Sequence, residues 1–200
     1  RLGKRIGRLS SGWLGKWLAP RWLEALLAAG TVALILYIYG TNTVNVYGYC
    51  SSDMVLHNYW INHMENNNIF VDGVYPFGFH CVIYYLHEVF AIPTYVLLRV
   101  FALAQTLMIH LMLLAFLRAV CKSKYAPYLG MTLYTIGGFF SQATYDRFYS
   151  SLPQEFGMLF IFPAAYFAIA FFRERGFGIQ ARSKFNLTMF AISISMPLAV

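Results

Sequence analysis

Asp53 is an isolated acid in Tyr49-Cys50-Ser51-Ser52-Asp53-Met54, shortly past an apolar run that ends at Gly40. A carboxylate at the edge of a bilayer is costly unless solvated or paired, so its presence points to chemistry. It has the basicity to take a proton from an attacking hydroxyl. Its plainer role is to help start a helix, since Ser51, Ser52 and Asp53 are all good capping residues. Arg99, in Tyr95-Val96-Leu97-Leu98-Arg99-Val100-Phe101, is a cation inside an apolar run. Its planar fork suits a phosphate held by two hydrogen bonds and stays charged at any working pH. The plainer alternative is an arginine that snorkels to lipid headgroups.

Other polar groups cluster nearby in sequence. Asp72-Gly73-Val74-Tyr75-Pro76-Phe77-Gly78-Phe79-His80 reads as a turn opening a helix, with Pro76 in its first turn. His57, Asp72, Tyr75 and His80 are candidate substrate contacts there, although a lone histidine at such a helix is more often structural. His80 and His87 would be about 10 Å apart along a helix axis, too far to share one metal ion without other ligands. Arg147, Gln154 and Glu155 form a further set in Tyr145-Asp146-Arg147-Phe148-Tyr149-Ser150-Ser151-Leu152-Pro153-Gln154-Glu155. The plainer reading is an Asp146/Arg147 pair beside a helix start with Gln154 and Glu155 in its first turn.

The elements that position these residues belong to a membrane. The 200 residues are 59% hydrophobic, 18% aromatic and 12% charged, with a mean hydropathy of +0.55. That is too little charge for the surface of an ordinary soluble domain. The net charge of +7 comes from residues beside apolar runs and not from a long basic stripe, which argues against nucleic acid as a partner. The apolar runs predict spans near 22–40, 95–116, 125–142, 156–172 and 185–200, after a basic segment at 1–21. Within that segment, residues 9–18 mix Trp13, Leu14, Trp17 and Leu18 with Lys16, suiting a helix on the inner leaflet. No cleavage pattern follows the first run, so it reads as an anchor.

Between 41 and 92 there is no Lys or Arg, whereas Asp53, Glu65, Asp72 and Glu88 all fall there. The positive-inside rule places this stretch outside as one large loop. Two amphipathic juxtamembrane helices are expected in it. In the first, Val55/Leu56, Tyr59/Trp60 and His63/Met64 recur at helical spacing, opposite Asn58, Asn62 and Glu65. The second covers 77–90, with Val82, Ile83, Leu86, Val89 and Phe90 apolar. This assignment leaves 13 of the 15 Lys and Arg inside and a cytoplasmic N-terminus, with Arg99 and Arg147 as the exceptions. The loop at 143–153 is then external. Asn186-Leu187-Thr188 matches a glycosylation acceptor but opens a membrane segment and is discounted. Cys50 and Cys81 both fall outside and could pair; no cysteine spacing suggests a redox or metal motif.

One span, an acidic residue opening a large external loop with two juxtamembrane helices, Tyr75-Pro76-x-Gly78-x-His80, and a Leu-Arg entry to the next span together resemble the GT-C class of membrane glycosyltransferases. Protein O-mannosyltransferases and the aminoarabinose transferase of lipid A are members. The motifs at 75–80 and 151–157 further resemble uncharacterised bacterial membrane proteins of this type. The resemblance implies an all-α polytopic transmembrane bundle, the N-terminal part of a larger module in a bacterial plasma membrane. It implies inverting transfer of a sugar from a polyprenyl-phosphate donor to an external glycan, lipid or protein acceptor. Asp53 would be the catalytic carboxylate and Arg99 the donor-phosphate ligand. The class often carries an acidic pair, whereas Met54 follows Asp53 here. That leaves metal use open: a divalent cation, Mg or Mn, would have Asp53 and Glu155 as its carboxylates. Two other functions remain open on the residues alone. One is a transporter or flippase for a lipid-linked or anionic substrate, contacted by Asp53, Arg99 and Glu155; the other is a non-catalytic membrane subunit.

Overall fold

A computed structural model describes residues 22–45, 52–69, 71–72, 77–177 and 180–199. The basic segment at 1–21, Cys50 and the Tyr75-Pro76 step lie outside the described residues, and with them the inner-leaflet helix and the Cys50–Cys81 pairing. The regular structure among the described residues is all helix, without strands. In chain order the helices are α1 (Trp22–Asn45), α2 (Ser52–Met64), α3 (Gly78–Phe90), α4 (Thr94–Val120), α5 (Ala126–Phe140), α6 (Gln142–Phe148), α7 (Pro153–Gly176) and α8 (Gln180–Ala199).

Three of them are long and apolar enough to cross a membrane: α1 over Trp22–Thr41, α4 and α7, with mean hydropathies of 1.8, 2.2 and 1.8. At about 1.5 Å per residue each reaches the roughly 30 Å of a hydrocarbon core. The other two expected spans are also helices but differ in kind. The 15 residues of α5 cover only about 22 Å. In α8, Arg182, Ser183, Lys184, Asn186 and Thr188 dilute the apolar run. Large apolar side chains stay exposed around the bundle, among them Leu133, Phe140 and Phe172. Patches of that kind are a liability in water and ordinary against lipid. The chain is a membrane protein on these grounds.

The helix boundaries follow local chemistry. Asn67 ends α2 in the left-handed region at φ 56°, which Asn tolerates better than most residues, while the Asn66 and Asn68 amides close onto the His63 carbonyl. Ala91 ends α3 at φ 53°, and Pro93 then starts α4, so α3 and α4 meet at a sharp corner. The His87 ring pins that corner through Nδ1 and the Ile92 carbonyl at 2.7 Å. Pro127 and Pro153 lie in the first turns of α5 and α7, where a missing N–H costs nothing. Arg173 and Arg175 occupy the last turn of α7, where cations favour the helix dipole.

Long α4 is the spine, touched by α1, α2, α3, α5 and α7, while α8 folds back along α7. Three apolar clusters are strung along it. Ile35, Tyr39, Ile109 and Phe148 form the middle one. There α1 meets α5 at Gly138: a Cβ on that residue would come within 2.6 Å of the Tyr39 hydroxyl, which donates to the Thr135 carbonyl at 3.3 Å. Leu113, Leu114, Tyr128 and Met131 fill the second. Beside it Arg118 bridges Glu24 of α1 at 3.0 Å and donates to the Tyr128 hydroxyl at 2.7 Å. This end of the bundle also carries Lys122, Lys124, Arg173, Arg175, Arg182 and Lys184, so the described cations other than Arg99 and Arg147 gather at one end as the sequence grouping requires. The third cluster lies at the opposite end and holds the candidate site.

Two local expectations change. The segment 143–153 contains a short helix, α6, where a loop is expected. It is held inward by Thr106 of α4, whose hydroxyl donates to the Phe148 carbonyl, and by the Tyr145 hydroxyl on the Ile38 carbonyl at 3.4 Å. In α2 the inward face is Met54, His57, Trp60, Ile61 and Met64, whereas Val55, Leu56 and Tyr59 remain exposed. The expected apolar stripe at 55/56, 59/60 and 63/64 is therefore split between the two faces. Apolar residues ring this helix, and only the position of α3 and α4 selects which of them are buried.

Candidate functional site at the acidic end

The third cluster consists of Met54 and Ile61 from α2, Phe79 and Ile83 from α3, and Leu97 and Leu98 from α4, with Phe156 of α7 packed against it. Three of the four helices carry a charged residue next to an anchor. Asp53 precedes Met54, Arg99 follows Leu98, and Glu155 precedes Phe156. The fold thus brings three residues, the outermost 102 positions apart in sequence, next to one apolar cluster.

Asp53 occupies the first turn of α2, inside the helix and exposed to solvent. Its carboxylate there complements the positive end of the helix dipole. Arg99 is half-buried in the second turn of α4. Glu155 is 2% exposed and its Oε1 accepts from Arg147 Nε, while Arg147 also donates to the Gln154 side-chain oxygen. Arg147 therefore spans to the first turn of α7, joining α6 to the α7 entry. Glu155 Oε2 is buried without a hydrogen bond among the described residues. Nearby Ser151 is also fully buried with its hydroxyl unsatisfied there.

His57 and His80 were candidate substrate contacts, and the fold turns both inward. Nδ1 of His57 lies 2.9 Å from Nε2 of His80, one carrying the proton and the other accepting it. His57 is 5% exposed and His80 is fully buried. Trp60, Phe77 and Phe79 surround them at ring distances of 5.1–6.2 Å. Trp60 in turn donates its indole N–H to Asp72 at 2.6 Å, so Asp72 braces the turn after α2. Tyr75 lies outside the described residues. The pairing of His57 with His80 escaped sequence reasoning, which weighed His80 against His87. Nothing in the spacing of residues 23 apart announces it, because it depends on how α2 lies on α3.

Burial lowers the His57 pKa, opposed by the neighbouring Asp53 charge. Burial first, and His57 second, push His80 down to about 3. These groups are neutral when folded but protonate near pH 6.5 when unfolded. Stability from the neutral pair is then full above pH 6.5 and is lost as pH falls from 6.5 toward 3. Thermal melts should show a loss of up to about 2 kcal/mol between pH 7 and pH 5 from His80 alone. The loss should shrink in His80→Gln; an unchanged pH slope in that variant would refute the assignment.

Among the described residues no three His, Cys, Asp or Glu side chains come together as metal ligands. Glu155 has its Oε1 engaged by Arg147, so the described residues do not fit a divalent-cation centre. What the arrangement offers is an exposed carboxylate and a half-buried guanidinium at the rim of one apolar patch. A basic group and an anion ligand in that setting can act on opposite ends of a bond being transferred. Compared with known proteins, the chain matches no family model, no curated protein and no solved structure.

Proposed function

We propose that the acidic end is the active site of an inverting glycosyltransferase of GT-C type that uses a polyprenyl-phosphate sugar. The observation carrying this reading is the placement of Asp53 and Arg99 beside Met54 and Leu98 of one cluster. The acceptor hydroxyl attacks the anomeric carbon, its proton passes to Asp53, and the bond to phosphate breaks on the opposite face. Arg99 holds the phosphate as negative charge builds on it, which lowers the barrier by more than it lowers the ground state. The apolar rim suits the first isoprene units of the donor. In this reading the basic end faces the cytoplasm and the acidic end faces out. A cysteine placed at exposed Asn67, with the native cysteines replaced, should react with an impermeant maleimide on intact cells. Reaction only after permeabilisation would invert the orientation.

Incubation of the purified protein with a panel of polyprenyl-phosphate sugars, with release of lipid phosphate as the readout, tests the activity. Arg99→Lys keeps charge but loses the two-pronged geometry, whereas Arg99→Ala loses both. Donor KM should rise roughly 10-fold in the first and 100-fold in the second, as expected for charged hydrogen bonds. A snorkelling anchor predicts full function with Lys and a stability loss with Ala that ignores donor concentration. Uptake of the lipid-linked sugar by proteoliposomes without phosphate release would favour a transporter instead.

A further inference from the structure

Two hollows at the other end of the bundle share walls. The first, about 260 Å³, lies between α4 and α7 and is lined by Met112, Phe116, Phe162 and Tyr166 among other apolar residues. The second, about 410 Å³, shares Ala119 and Tyr166 with it and opens at Arg173, Glu174, Phe177 and Arg182. From Phe162 to Phe177 the combined groove runs about 22 Å along α7, beyond the roughly 15 Å of one leaflet's hydrocarbon. It exists because Ala115 and Ala119, one turn apart on α4, present methyl groups where α7 approaches. Pro163 of α7 forms part of the opposite wall.

We propose that this groove seats an anionic phospholipid, with an acyl chain along the apolar wall and the phosphate between Arg173 and Arg182. Two guanidiniums face one carboxylate at the mouth. That carboxylate, Glu174, accepts from Asn186 of α8 at 2.6 Å, so it is engaged within the protein while both arginines remain exposed. A net positive mouth on an apolar slot favours an anionic headgroup over a zwitterionic one, whose own cation would approach the same arginines. Exposed Phe177 lies just past the end of α7, where an aromatic ring suits the membrane interface. The seat is at the opposite end from Asp53 and stands or falls independently of the transfer reaction.

The test is native mass spectrometry of the purified protein in detergent, equilibrated with phosphatidylglycerol or with phosphatidylcholine of the same chains. Phosphatidylglycerol should be retained roughly 30-fold better, about what two arginines near a headgroup supply. The double variant Arg173→Gln/Arg182→Gln should lose that preference. Arg175→Gln should keep it, because that guanidinium lies over the Phe171 ring at 5.8 Å and does not line the groove. Ala119→Phe fills the slot without altering charge and should release the lipid; Ala115→Leu, on the same wall, serves if the larger residue prevents folding. Equal retention of the two lipids overturns the proposal, as does retention undiminished in a folded slot-filling variant. Displacement by soluble glycerol phosphate as efficient as by phosphatidylglycerol would show a phosphate site in place of a lipid seat.

Discussion

Asp53→Asn is expected to fold, to keep its place in the membrane and to turn over about 100-fold more slowly than the wild type, the usual cost of losing a general base. The side chain is exposed, and the buried neighbour Met54 holds the helix start whatever stands at 53. Asn has the same shape and gives up the charge, whose favourable place at the helix dipole is worth about 0.3–1 kcal/mol. Thermal stability and turnover measured on one preparation separate the two roles. A variant within threefold of wild-type turnover would leave Asp53 as a helix-starting residue, and the proposed transfer reaction would lose its base.

Arg147→Ala should be the most damaging substitution for stability at the same end, at about 3 kcal/mol. Glu155 is buried and takes Arg147 as its partner through Oε1, so truncation leaves a carboxylate in an apolar setting without its counter-charge. Removing one partner of a buried pair costs about 3–5 kcal/mol, and the low end applies because Arg147 itself is half exposed. Glu155→Gln, which removes the charge and keeps the shape, should cost less, and the double variant should recover much of the loss of Arg147→Ala. A double variant as unstable as the sum of the two singles would mean that the pair is not coupled. Because Phe156, the next residue, packs on the cluster beside Met54 and Leu98, a loosened α7 entry should also lower turnover, tracking the fall in thermal stability across the three variants.

The membrane character and the grouping of charge were legible in the sequence because both are additive along the chain. Runs of Leu, Ala, Ile and Phe over α1, α4 and α7 require a hydrocarbon environment in any packing, and each run's length sets its reach. The cations at 118–124 and 173–184 reach one end of the bundle because antiparallel helices joined by short connections leave them no alternative. Asp53 and Arg99 were likewise visible as charges interrupting apolar or neutral stretches. The limits of α5 and α8 as spans were less visible, since composition shades gradually where length and polarity decide.

Partnership is what tertiary structure alone decided. His57 faces His80, Arg147 reaches Glu155 and Gln154, and Trp60 reaches Asp72, each across a turn or between helices. In α2, apolar residues on every side left the buried face undetermined until α3 and α4 covered Met54, His57, Trp60 and Ile61. Helical periodicity reports which side chains share a face; it carries no information about which neighbour will cover that face. Burial of a histidine or a glutamate is affordable only when that neighbour supplies a hydrogen bond or a counter-charge. Those partners lie 8 to 23 residues away in sequence here, beyond the reach of any local pattern, so packing chose them.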